Sequence, residues 1–314
     1  MSIAENKRFI IGSRSSKLAL TQTRYVMDKL KKFHPSPNFE IKTIKTAGDK
    51  IPDVALSKIA DKGFFTKEIE EALLRREIDL AVHSMKDLPT ELSPHLKIAA
   101  VTKREDPRDV LVSREGFTLK TLPQGSRVGT SSLRRSAQLL YIRKDLKIMD
   151  LRGNLDTRIN KLDRGIYDAI ILAYAGIKRL GLTVKLSAIS TQEMLPQAGQ
   201  GALAIEAHED NHEVINMAKA LDDADYHLAI DAERAVLSGL GGGCQVPIGV
   251  YAAVEGDILH VTAGVFSLDG KMAVRDEISG KKINAQALGR QLAERVLEKN
   301  GAQQILRDFS KGMR

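Results

Sequence analysis

Short apolar runs alternate with longer stretches of helical period through the first two-thirds of the chain. Arg8 to Gly12 reads as a strand, Ser15 to Phe33 as an amphipathic helix and Phe39 to Lys45 as a second strand. A helix follows near Thr66 to Arg76, with Thr66 at the cap position, and Ile78 to Val82 is again strand-like. The rhythm restarts near Asp109. Strands are predicted at Val110 to Ser113, Arg127 to Gly129, Lys147 to Asp150 and Ala169 to Ala173, with helices at Ser132 to Arg143 and Leu155 to Arg164. Two α/β units follow from this alternation.

Two segments break the pattern. Thr102 to Arg108 is charged and contains Pro107, and Leu195 to Gly201 is rich in Pro and Gly, so both read as connections. A further strand, Ala202 to His208, comes directly after the second connection. Its return to the first sheet would make the first domain discontinuous, a hinge-like arrangement suited to a cleft. From about Ala224 the pattern becomes a helix, three strand-like runs (Val250 to Val254, Ile258 to Phe266, Met272 to Ile278) and a final helix, Ala285 to Lys299. The expectation is two α/β domains and a smaller C-terminal α+β domain: 1–102 with 202–220, 103–201, and 221–314.

Length permits this: 314 residues suffice for two or three domains with separate cores. The N-terminus shows no apolar export segment, and no run approaches the roughly 18 apolar residues of a membrane span, so a cytoplasmic protein is expected. A single cysteine excludes an internal disulfide and a cysteine-based zinc site. The net charge of +8 favours an anionic ligand. Nucleic acid is the first such anion, but aromatic residues make up only 4% with no Trp, and no nucleic-acid motif is present. Metal-hydrolase, nucleotide and dinucleotide patterns are also absent, and no metal is expected.

Three segments carry candidate chemistry. Asp79 to Pro89 is an apolar strand that turns abruptly polar at His83-Ser84-Met85-Lys86-Asp87, where α/β sheets place ligands. Asp87 is a candidate acid, base or partner for a cation, and Lys86 an anion holder; the alternative is a solvated turn with a helix cap. Gly129-Thr130-Ser131-Ser132-Leu133-Arg134-Arg135 follows a strand and opens a helix, bringing hydroxyls, free N–H groups and two guanidiniums to a positive helix end. A capped helix with two exposed arginines is the plainer reading. A second such junction at Arg152 to Arg158 tips the balance towards a ligand with several acidic groups. Gly241-Gly242-Gly243-Cys244 places the only thiol on a glycine-rich loop, either to attach a group covalently or as a tight turn packed against its own domain. His83 and His208 end strands, where packing is as good an explanation as a cleft.

Together these segments resemble the porphobilinogen deaminase (hydroxymethylbilane synthase) family. The matching stretches are Gly12 to Ala19, Lys62 to Glu68, Ser84 to Pro89, Gly129 to Arg135, Leu151 to Arg158, Leu195 to Ala202 and Gly242 to Pro247, in the family's order and over essentially the whole chain. The resemblance implies a three-domain transferase of tetrapyrrole biosynthesis, with two periplasmic-binding-protein-like α/β domains and a third, smaller α+β domain, that condenses porphobilinogen on a dipyrromethane cofactor attached through Cys244. It implies Asp87 as catalytic carboxylate, and Ser84, Lys86, Asp87, Thr130, Ser131, Ser132, Arg134, Arg135 and Gln200 as cofactor contacts. Arg14, Ser16, Gln22, Arg152, Arg158 and Arg179 would meet substrate carboxylates, and Lys58 and Phe65 match the active-site loop. No nucleic-acid or membrane partner is implied, and the family-based expectation is a monomer.

The chain departs from the family pattern at Phe64, at Ala60-Asp61 and at His208, which stands where Arg is usual and puts one carboxylate contact in question. A non-catalytic two-lobed protein that binds a small anion is the main alternative, because fold alone does not decide function. A transcriptional regulator is a third reading, set back by the lack of a DNA-reading module.

Overall fold

The computed structural model describes residues 7–47, 66–242 and 246–312. They form two compact units, one of 7–47, 66–105 and 202–227, the other of 106–201 with 228–242 and 246–312.

In the first unit, β1 (Arg8–Arg14) buries Phe9 and Ile11 and pairs in parallel, over its whole length, with β2 (Asn38–Ile44). The connection between them is α1 (Lys17–Phe33). Ser16 starts this helix by accepting the Ala19 N–H at 3.2 Å. Gln22, Thr23, Val26 and Leu30 recur at helical spacing and form its buried stripe. The next helix, α2 (Lys67–Leu74), starts where expected, but Thr66 makes no side-chain cap; its carbonyl accepts the Ile69 and Glu70 N–H groups instead. β3 (Leu80–Ser84) runs parallel to β1. β10 (Leu203–His208) enters antiparallel between β3 and β4 (Leu96–Val101), giving the order β2-β1-β3-β10-β4. The chain therefore returns to its first sheet after completing another.

That other sheet repeats the order. β5 (Asp109–Ser113), β6 (Arg127–Gly129), β7 (Lys147–Met149), β8 (Ala169–Ala173) and β9 (Leu186–Ala188) lie as β7-β6-β8-β5-β9. β6 is parallel to β7 and β8, and β5 is antiparallel to β8 and β9. The helices α3 (Leu133–Ile142), α4 (Leu155–Asp163) and α5 (Tyr174–Leu180) each leave the carboxyl end of a parallel strand.

The rest of the second unit holds an antiparallel sheet of β11 (Ile248–Glu255), β12 (Ile258–Phe266) and β13 (Ala273–Lys281). Val250, Leu259 and Val261 on one face pack with Leu292 and Val296 of α8 (Ala285–Glu298) and Ile305 of α9 (Ala302–Gly312). On the other face, Gly249 lets the chain at Leu195 approach so closely that a Cβ would lie 2.4 Å from Leu195 Cβ. Glu233, fully buried on α7 (Ala224–Gly239), accepts the Gly199 N–H at 2.7 Å and the Ala252 N–H at 2.8 Å. One carboxylate thus fastens a helix, a turn and the small sheet together. The fold class is two α/β sheets of the same strand order plus a smaller C-terminal α+β element.

Candidate active site

Each large sheet gathers polar residues at the edge where its parallel strands end. In the first unit that edge carries Arg14, Ser16, Gln22, Ser84, Lys86 and Asp87. β1 ends in Arg14 and β3 in Ser84, and the strands are parallel, so both residues reach one side of the sheet. The Ser84 hydroxyl donates to Gln22 Oε1 at 3.1 Å, joining two of the residues expected there. After Ser84 the chain makes a single tight turn, Met85–Asp87, anchored by the Met85 N–H on the Ala202 carbonyl at 3.0 Å. Asp87 is half-buried, and no hydrogen bond or ion pair holds its carboxylate among the described residues. It is presented rather than used internally. Ser16 Oγ caps α1, so its oxygen already accepts one bond while its proton is left to donate.

In the second unit the parallel strands end in two linked junctions. Ser131 accepts the Leu151 N–H and donates to the Leu151 carbonyl, both at 3.0 Å, tying the turn after β6 to the turn after β7. Ser132 caps α3, its own N–H donating to Thr130 Oγ1 at 3.2 Å. Asn154 caps α4 by accepting the Thr157 N–H at 2.9 Å, and Gly153 takes the left-handed φ of +105° that this bend needs. Arg158 donates from Nε to the Gly153 carbonyl, and Arg179 donates to the Gly201 carbonyl. Arg152 is half-buried, with no ion pair on its guanidinium among the described residues.

Arg134 and Arg135 are not exposed. Both converge on Asp109, a residue the sequence reading placed only at the start of a strand. Arg134 Nη1 lies 2.7 Å from Asp109 Oδ2 and the Leu195 carbonyl; Arg135 reaches Oδ1 through Nε and Nη2 and donates to the Ile171 carbonyl. Gln200, fully buried, donates to the same Oδ1 at 3.0 Å and to the Pro107 carbonyl at 2.7 Å. Burial alone would raise the Asp109 carboxyl, but the two guanidiniums outweigh it and hold the group well below the ordinary carboxylate range. Two cations against one anion leave a positive excess at the amino end of α3, where free N–H groups add to it.

Other expectations fall elsewhere. Lys58, Phe65 and Cys244 lie outside the described residues, as do Phe64 and the Ala60-Asp61 pair. Ahead of Cys244, Gly241 turns at φ +66°, and a Cβ on Gly242 would come within 2.6 Å of Ile248 Cδ1, so turn and packing account for these two glycines. His208 is corrected: β10 is antiparallel, which puts His208 roughly 17 Å along the strand from the Ser84 edge. There its ring stacks on His95 and its Nδ1 meets Arg76 at 2.9 Å, so the missing arginine takes no carboxylate contact from the site. His83 is buried on the sheet beside Glu206.

In the second unit the paired arginines leave an excess of positive charge around Asp109, and in the first the sheet edge presents the Asp87 carboxylate. Residues 9–216 match the family model described as the porphobilinogen deaminase, dipyromethane cofactor binding domain, and residues 227–298 match the porphobilinogen deaminase C-terminal domain. The chain belongs to the porphobilinogen deaminase family. It is 51% identical over 304 residues to the porphobilinogen deaminase of Carboxydothermus hydrogenoformans, covering 96% of this chain and 97% of that one. It is 52% identical over 298 residues to that of Brevibacillus brevis, covering 94% and 96%. Among solved structures it is similar to the second substrate binding domain of a putative amino acid ABC transporter from Streptococcus pneumoniae, with TM-score 0.44 and 16% identity over 68% of this chain and 91% of that one. Family membership makes the chain a transferase of heme biosynthesis with a dipyrromethane cofactor and does not favour a solute-binding protein.

The residues fit that cofactor. A dipyrromethane built from porphobilinogen brings acetate and propionate groups, and the Asp109 cluster supplies an unbalanced positive charge. Arg134 Nε is buried without an acceptor among the described residues, a donor of the kind that pairs with a carboxylate.

Proposed function

We propose that the protein is a hydroxymethylbilane synthase: it joins four porphobilinogen molecules head to tail on a dipyrromethane held through a thioether by Cys244, and releases the tetrapyrrole by hydrolysis. Each addition expels ammonia from a porphobilinogen aminomethyl group, forms one carbon–carbon bond and removes one proton from the attacked pyrrole carbon. When bound, the cofactor supplies the pyrrole α-carbon at which the chain grows.

The chain's own residues take the remaining work. Asp87 holds pyrrolic N–H groups and balances the cation left after ammonia departs, which is the task of a presented carboxylate. Arg14, Ser16 and Gln22 receive the substrate's acidic groups, with Arg152, Arg158 and Arg179 on those of the growing chain. Ser84, Lys86, Thr130, Ser131, Ser132, Arg134, Arg135 and Gln200 form the cofactor site, and Lys58 and Phe65 belong to the active-site loop. In this reading the chain has three domains, 1–102 with 202–220, 103–201 and 221–314, and works as a cytoplasmic monomer without nucleic-acid or membrane partners. The observation that carries the reading is the buried Asp109 cluster, whose excess positive charge and unaccepted Arg134 Nε suit a ligand bearing several carboxylates.

Intact mass of the purified protein beside Cys244→Ser tests it. Wild type should carry an excess equal to two linked porphobilinogen-derived units, and the variant none. A wild type that keeps its bare polypeptide mass after incubation with porphobilinogen would sink the proposal.

A further inference from the structure

Beneath the substrate edge of the first unit lies a buried acid that the reaction above does not use. Glu206 on β10 is wholly inaccessible, and its Oε2 is 3.1 Å from Nε2 of His83 on β3, itself almost completely buried. The contact is a close approach of two buried polar groups: His83 Nε2 and both Glu206 carboxyl oxygens have no hydrogen-bond partner among the described residues. Two polar groups buried this deeply have little but each other to contact, so their mutual placement is costly to disturb.

The register explains where this contact acts. Ala204 pairs with His83 and Glu206 with Ala81, which makes His83 and Glu206 diagonal neighbours on one sheet face. Gly12 pairs with Ala81 from the other side, and Arg14, two residues on, projects from that same face of the adjoining strand. The residue after His83 is Ser84, which holds Gln22. α2 packs over the face and brings two more carboxylates, Glu68, which accepts the Ala47 N–H, and Glu70, which accepts from Ser93. On β4 the partner in this cluster is the apolar Leu96.

We propose that His83 and Glu206 form a positioning pair that fixes the ends of β1 and β3, and through them Arg14, Ser84 and Gln22, for the incoming porphobilinogen. This rests on the synthase reading. Asp87 is less dependent on the pair, because the Met85 N–H anchors its turn independently on Ala202. The pair therefore governs substrate capture more than the chemical step.

Glu206→Met keeps the volume but removes the polar group that faces the ring, whereas Glu206→Gln keeps the shape and a polar end beside it. In protein that retains the cofactor mass, Glu206→Met should raise KM for porphobilinogen about tenfold, the cost of stranding one buried polar group, with kcat within about threefold. Glu206→Gln should return KM to within about twofold of wild type. Should the Met variant not fold, Glu206→Asp, which draws the carboxylate back by one methylene, carries the same expectation for KM. A wild-type KM in these variants overturns the positioning role and leaves the synthase reading standing. A joint fall in kcat, cofactor mass and melting temperature that Gln does not restore also overturns it, in favour of a folding contact. Wild-type holoprotein that does not consume porphobilinogen sinks both.

Discussion

At the scale of single residues, Asp109 shows how much of a binding site is internal support. Its carboxylate faces two guanidiniums in the interior, and removing one partner of such a cluster strands the others. Asp109→Asn should lower stability by about 3–5 kcal/mol at neutral pH and loosen cofactor retention, read from thermal unfolding and intact mass. The carboxyl is depressed in the folded state from an ordinary value of 3.8, so its contribution is complete above that pH and is lost as pH falls towards the folded value. The gap between wild type and variant should therefore narrow in acid. Arg134 and Arg135 were legible in the sequence as anion holders because they open a helix after a strand. Their shared counter-ion was not, since it lies 25 residues from Arg134 in the chain and only the pairing of β5 with β8 brings it to the same edge. His208 stayed open between packing and a cleft for a related reason: the sequence places it at a strand end, and only an antiparallel entry says which end of the sheet that is.

Among the elements, the strand-to-helix junctions do the positioning, and their caps were readable because the capping chemistry is local. Asn154 accepts two bonds from Thr157, its N–H and its hydroxyl, and orients the turn that bears Arg152 and Arg158. Asn154→Ala should cost about 1 kcal/mol, seen as a lower melting temperature with the overall helix content kept. Ser16 and Ser132 follow the same rule, while Thr66 occupies the cap position without using its side chain. The elements missing from the sequence reading are mostly short. β9 has three residues and α5 and α6 (His212–Ala218) seven each, too few for a period to stand out. β4 carries two alanines in six residues, a weak strand signal, and owes its place to pairing with β10. The expected helix from Ala285 to Lys299 forms as α8, and beyond Gly301, at φ +91°, α9 is a further helix that was not expected.

Over the whole molecule, the small antiparallel sheet is fastened to the connection that follows the second α/β sheet, by Glu233 at Gly199 and by the close approach of Gly249 to Leu195. Glu233→Gln turns one acceptor into a donor opposite a backbone N–H and should cost about 1–3 kcal/mol, measured as a shift of the urea midpoint. The alternation of apolar runs and helical stretches was enough to establish two α/β units and an α+β tail, because each element depends on neighbours within a few residues, while the charge excess pointed to an acidic ligand. The motifs in order were enough to establish the family. What only the tertiary structure decided is which polar groups are presented and which are consumed: Asp87 stands open at its edge, while Arg134, Arg135 and Gln200 are drawn onto Asp109, and Glu206 is sealed against His83. The reason is physical. A buried charge must find its partner wherever the folded chain supplies one, and that partner is set by strand direction and register, which no local stretch of sequence specifies.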